Sequence, residues 1–173
     1  MLTIDLKQMI RSVPDFPKPG INFFDITTLL KDPEGLKAAI DSLAAPYAGA
    51  RIDAIVAIES RGFILGSAVA QRIGAGFVPV RKPGKLPAKA IKEVYELEYG
   101  TDAVEIHADA IDKGQRVLIV DDVLATGGTA AATTRLVKQL GADLQGLAFL
   151  IELTFLNGKS KLTGENVFSV LQY

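Results

Sequence analysis

The sequence predicts an α/β fold with a mainly parallel central sheet flanked by helices, and three observations carry that expectation. Short apolar runs rich in branched residues recur at 52–58, 116–120 and 144–153. Segments of helical periodicity, several closed by glycine, alternate with them. Polar, glycine-bearing motifs follow the first two runs directly, at the sheet end where ligands bind in such folds. No repeat or linker divides the 173 residues, so one domain spanning 1–173 is expected, with 1–32 and 81–108 as subregions.

Along the chain, residues 1–11 carry Asp5 and Lys7 among apolar residues at helical spacing and predict an amphipathic helix. Residues 15–25 contain Pro17, Pro19 and Gly20, which forbid regular helix and predict an ordered loop pinned by Phe16, Phe23 and Phe24. Asp32 before Pro33 is a helix start, with an N-cap acid and proline at the first helical position. The run 52–58 is a buried strand leading through Glu59, Ser60, Arg61 and Gly62 into a helix that stops near Gly74. A second strand, 77–80, enters the basic loop RKPGKLP at 81–87. Residues 91–99 and 103–108 predict a strand pair that turns around Gly100. The run 116–120 is a strand buried on both faces, which 121–129 interrupts. A helix follows, with Leu136, Val137 and Leu140 on one face and Gly141 as its stop, and then the strand 144–153.

Composition narrows the function classes. A net charge of −1 gives no global basic field for nucleic acid or an anionic membrane. No apolar run approaches the ~20 residues of a membrane-spanning helix, so a soluble, intracellular protein is expected. The absence of cysteine excludes disulfides and thiolate chemistry. With a single histidine, the usual zinc sites are also excluded. His107 itself reads as a half-exposed strand residue.

The chemistry concentrates in VLIVDDVLATGGT, residues 117–129. A buried strand delivers Asp121 and Asp122, then Ala125, Thr126, Gly127, Gly128 and Thr129 lead into a helix N-terminus. These small residues let several backbone N–H groups converge on one anion, and the positive end of the helix dipole favours phosphate there. Each such charge-assisted hydrogen bond contributes about 1.5–3 kcal/mol. No GxxxxGK[ST] or GxGxxG occurs, which argues against nucleotide triphosphatases and dinucleotide folds. A carboxylate pair beside a monophosphate cradle suits a ribose 5-phosphate, with the acids accepting from its 2- and 3-hydroxyls. The plainer alternative has the acids capping a turn and the glycines serving a tight bend.

This strand, acid pair and ATGGT run resembles the phosphoribosyl-pyrophosphate motif of type I phosphoribosyltransferases. Further motifs match adenine-specific members in the family's order. The resemblance implies the family's α/β fold, transfer of a 5-phosphoribosyl group from phosphoribosyl pyrophosphate to adenine, and release of AMP and pyrophosphate. It implies Mg²⁺ bound through substrate, a cytoplasmic homodimer, and no nucleic acid or membrane partner. ESRGF corresponds to the family's pyrophosphate loop and gives that role to Ser60 and Arg61, while RKPGKLP gives it to Arg81, Lys82 and Lys85. LEYG corresponds to a mobile hairpin over the site and makes Glu98 the catalytic residue that handles the purine's proton. FPKPGINFFDIT corresponds to the purine pocket, with Phe23 stacking on the base, Ile21 and Asn22 reading its edge, and Arg61 alongside. Two positions depart from the pattern: Phe24 stands where a basic residue is common, and Thr28 where proline is.

Three other readings remain open on sequence. They are a phosphoribosyltransferase for xanthine, hypoxanthine or guanine, a phosphoribosyl-pyrophosphate-sensing regulator, and a two-component receiver domain. The first is separated by base competition and the second by turnover. The receiver's acid pair belongs after the first strand, whereas Asp121 and Asp122 follow a late one.

Overall fold

The computed structural model describes residues 4–97 and 100–173. In place of the expected N-terminal helix stands a single 3-10 turn, Leu6–Met9, capped by the Asp5 carboxylate, which accepts from the Lys7 amide. Beyond the turn the backbone extends: β1 (Arg11–Val13) pairs antiparallel with β2 (Phe23–Asp25), and ladder bonds replace helical ones. The proline-rich segment between them is the connecting loop, and its last residues, predicted as loop, are strand. A short helix α1 (Thr27–Leu30) precedes α2 (Pro33–Ala44), whose N-cap is Asp32, accepting from the Gly35 amide at 2.8 Å.

The sheet begins with β3 (Ala54–Ile58), buried along its whole length as its uninterrupted apolar sequence requires. Helix α3 (Arg61–Ile73) ends at Gly74 in the left-handed conformation, and β4 (Gly76–Val80) returns beside β3. An antiparallel pair, β5 (Ala90–Glu96) and β6 (Thr101–His107), stands apart from the main sheet. Then come β7 (Arg116–Leu124), α4 (Gly128–Gln139), β8 (Asp143–Glu152) and β9 (Val167–Gln172). The five main strands run in the order β4-β3-β7-β8-β9, every pair parallel.

Side-chain alternation divides the core between two layers. Ile55, Leu118, Val120, Ala148 and Leu150 meet α2 and α3 on one face. Val56, Ile119, Leu147 and Phe149 meet α4 and the β5–β6 pair on the other. The chain leaves β3 towards one sheet edge and leaves β7 towards the other. The order therefore reverses between these neighbouring strands, and the crevice at their carboxyl ends is the place for a ligand.

Candidate active site

Both acids belong to β7 itself. The ladder to β8 continues past Val120 to Leu124, so residues 121–124 extend the strand where an interruption was expected. Parallel pairing supplies backbone partners that the polar sequence of Asp121 and Asp122 did not suggest. Asp122 is 6% exposed and forms an ion pair with Arg61 Nε. Asp121 accepts from the Asp122 amide at 2.9 Å and packs against the start of α3. A Cβ on Gly62 would stand 2.6 Å from Asp121 Oδ1, so glycine there is a matter of space. Burial, reinforced by the neighbouring Asp122 charge, pushes the Asp121 carboxyl well above the usual range.

Beyond β7, Gly127 takes a left-handed φ of 78° at the N-cap of α4 and offers no side chain to cap it. The N–H groups of the first turn have no intrahelical partner, which leaves them free to bind an anion. A Cβ on Gly128 would meet the Tyr95 ring at 3.1 Å, and one on Gly127 would collide with the Gly158 carbonyl. Thr129 Oγ1 donates to the Tyr95 hydroxyl at 3.0 Å.

The cations after β3 and β4 are held by acids of this chain. Glu59 accepts from Arg81 Nε at 2.7 Å and from Lys85 Nζ at 2.5 Å. Burial pushes the Glu59 carboxyl up, but the bonds from Lys85 and Arg81 outweigh it and hold the group below its ordinary range. Lys82 is bonded to Asp102 and, at 3.1 Å, to the Tyr95 hydroxyl. Burial opposes the Lys82 charge, yet the bonds to Asp102 and Tyr95 raise its pKa. Tyr95 and Asp102 face each other across the β5–β6 ladder, and the tyrosine donates to the carboxylate at 3.1 Å. Sequence reasoning missed Glu59, Tyr95 and Asp102. The signals present were an acid directly before Ser60 amid several cations, and a cross-strand partnership visible only once the register is known.

One cavity of about 500 Å³ joins most of these groups. It is lined by Asp121 and Asp122, by Ala125 and Thr129 at the start of α4, by Ser60, Arg61 and Lys82, and by Ile21, Asn22 and Phe23. Arg81 and Lys85 do not line it, being turned to Glu59. Thr126 lines an adjoining cavity of about 720 Å³ with Leu97 and Lys161, and Gly128 lines a further one beyond the hairpin. Glu98 lies outside the described residues.

In the aromatic loop, Phe16 packs edge-on to Phe23 at 5.3 Å, and the Arg61 guanidinium stands 5.4 Å from the Phe23 centroid. The two departures from the family pattern have local partners. Phe24 packs on Tyr173 with ring centroids 4.0 Å apart, and Thr28 Oγ1 donates to the Met9 carbonyl at 2.7 Å.

Comparison with known proteins gives concordant matches. A profile described as "Phosphoribosyl transferase domain" matches residues 26–167. The adenine phosphoribosyltransferase of Solibacter usitatus is 60% identical over 169 residues, covering 98% of this chain and 98% of its own. The crystal structure of adenine phosphoribosyltransferase from Thermoanaerobacter pseudethanolicus superposes with a TM-score of 0.94 at 54% identity, covering 97% and 98% of the two chains. That of Saccharomyces cerevisiae, complexed with an imino-altritol 1,6-bisphosphate and adenine, gives 0.91 at 45% identity, covering 96% of each.

Proposed function

The chain belongs to the adenine phosphoribosyltransferase family, and from that premise we propose that it transfers the 5-phosphoribosyl group of phosphoribosyl pyrophosphate to adenine in purine salvage. The products are AMP and pyrophosphate. The observation that carries this reading is a cavity lined together by Phe23 of the aromatic loop, the acid pair, Ala125 and Thr129 at the start of α4, and the cations Arg61 and Lys82. The yeast relative's complex with adenine and a sugar bisphosphate supports the same pairing of ligands.

The proposed roles join these positions to the family resemblance. The cup of Ala125, Thr126, Gly127, Gly128 and Thr129 holds the 5-phosphate through its amides. Asp121 and Asp122 accept from the ribose hydroxyls. Ser60, Arg61, Lys82, Arg81 and Lys85 neutralise pyrophosphate, the last two after release from Glu59. Phe23 stacks on adenine, Ile21 and Asn22 read its edge, and Arg61 lies between base and acids. Bond breaking at the anomeric carbon develops positive charge on the sugar as pyrophosphate leaves, and the base nitrogen forms the new bond. The protein therefore needs placement and charge stabilisation, with no covalent nucleophile. Glu98 is the proposed acceptor of the base proton, on a hairpin that excludes water from the activated sugar.

Mg²⁺ fits this site as an ion carried by substrate. Among the described residues no group of three or more ligating side chains is built to hold a metal. Asp121 and Asp122 are engaged by the Asp122 amide, Arg61 and, in this proposal, the ribose hydroxyls, so the ion would be held through substrate oxygens. When bound, the ion would supply countercharge for pyrophosphate.

The proposal extends to one catalytic unit over the whole chain, acting as a homodimer in the cytoplasm. Among the described residues no helix is long and apolar enough to cross a membrane. Exposed Ile64 and Phe77, flanking Phe63 on α3 and the edge strand β4, form an apolar surface suited to a second copy. Incubation with phosphoribosyl pyrophosphate, Mg²⁺ and separate labelled bases tests the activity. AMP from adenine is expected, and turnover of hypoxanthine, guanine or xanthine with none of adenine overturns the assignment.

A further inference from the structure

The turn after β8 abuts the proposed phosphate cup, backbone against backbone. A Cβ on Gly158 would collide with the Ala125 carbonyl and lie 3.0 Å from the Gly127 nitrogen. In return, a Cβ on Gly127 would collide with the Gly158 carbonyl. The two backbones are thus in direct contact, each leaving no room for a methyl group on the other.

Conformation does not explain Gly158. Its φ is outside the left-handed region, and that demand falls on Asn157 at 51°. Any residue fits the backbone angles of the 3-10 segment Gly158–Leu162, so glycine is required there by the cup it abuts.

The turn is fixed from below and carries charge above. Lys159 Nζ lies 2.8 Å from Oε2 of Glu152, a buried residue at the end of β8, as a charge contact outside hydrogen-bonding angles. Ser160 returns its hydroxyl to the Asn157 carbonyl at 2.8 Å. Lys161 is exposed, and it lines both the cavity that contains Thr126 and the one that contains Gly128. Residues 125–129 include no basic side chain of their own, although a phosphate monoester there carries nearly two negative charges.

We propose that the turn Gly158–Leu162 is an integral wall of the 5-phosphate site, with Gly158 as a positioning residue for the cup and Lys161 as a cation facing the phosphate. This rests on reading residues 125–129 as the 5-phosphate cup. Gly158 acts through the backbone: it sets how far Ala125 and Gly127 can retreat, and so where their amides point. Lys161 acts through long-range charge, which steers and retains the anion.

Calorimetric titration of the purified full chain with ribose 5-phosphate, AMP and adenine provides the test. Gly158→Ala is expected to weaken ribose 5-phosphate and AMP about tenfold and leave adenine within about twofold. Its KM for phosphoribosyl pyrophosphate rises, with kcat nearly unchanged. Lys161→Met removes only an exposed side chain and stays informative if Gly158→Ala misfolds. It is expected to weaken ribose 5-phosphate about fivefold and to flatten the salt dependence of binding. Wild-type affinity for ribose 5-phosphate in either variant, or an equal loss of adenine, overturns the proposal. Failure of the wild-type protein itself to bind ribose 5-phosphate overturns the reading of the cup instead.

Discussion

The two halves of the crevice proposed to bind anions are built on opposite plans. The cup between β7 and α4 presents backbone amides, fixed by the left-handed Gly127 and by contact with Gly158. The cluster after β3 and β4 presents long side chains, each bonded to an acid of the same chain: Arg81 and Lys85 to Glu59, Lys82 to Asp102. On the proposed roles, an incoming 5-phosphate would find its donors already aimed, and a pyrophosphate would have to draw its cations away from carboxylates. The half proposed for the retained sugar is therefore preorganised, and the half proposed for the leaving group would work by exchange. Such an arrangement holds pyrophosphate less tightly and favours its departure.

Substitutions can break or sharpen this contrast. The largest effect is expected at the cup. Gly127→Val forces a branched residue into a left-handed φ and into the Gly158 carbonyl, which lowers kcat/KM about a hundredfold, or ~2.7 kcal/mol. Activity within a few-fold of wild type would show that the cup is pliable and erase the distinction.

Asp121→Asn separates function from stability. Sugar-phosphate binding should fall about tenfold in titration, because an amide, a weaker acceptor with an NH2 in place of one oxygen, replaces the carboxylate that meets a ribose hydroxyl. The folded-state pKa of Asp121 lies above its unfolded value, so the native state keeps a proton that the unfolded chain gives up. Its penalty is absent below the unfolded carboxylate pKa and grows as pH rises through the folded one. The variant's Tm should thus match wild type near pH 3.5 and exceed it at pH 8. An equal or lower Tm at pH 8 would contradict this account of the acid pair.

The smallest effect belongs to the exchange side. Lys82 and Asp102 are both about one-third exposed, so their pair is screened and modest in strength. Asp102→Asn should tighten pyrophosphate about threefold, by ~0.7 kcal/mol, as read by product inhibition. Weaker binding would mean that Asp102 orients Lys82 for the ligand instead of competing with it.

The same contrast explains what could be read from the chain alone. Four of the main strands, the capped start of α2 and the strand–acids–glycines unit are local patterns and legible, whereas β9 was not expected: it is a half-buried edge strand whose only sheet partner is β8. The N-terminal segment misled because its apolar spacing satisfies one 3-10 turn as well as a helix, and the pairing of 11–13 with 23–25 is non-local. The internal partners Glu59, Tyr95 and Asp102 were invisible for a related reason. Ion pairs such as Glu59 with Lys85 join residues tens of positions apart. Gly158 was missed because an isolated glycine in a polar turn carries no sign of what it touches.

The adjacency of β3 and β7 has one more consequence. The loops that follow them leave from neighbouring strands, locked in register at Ala57 and Val120 and separated by the ~4.8 Å rung of a sheet. That rung makes the crevice a caliper whose jaws are set by main-chain bonds and do not drift with side-chain motion. A donor longer or shorter than a phosphorylated five-carbon sugar would have to be met by remodelling the loops, since the jaws themselves cannot be reset without unzipping the core.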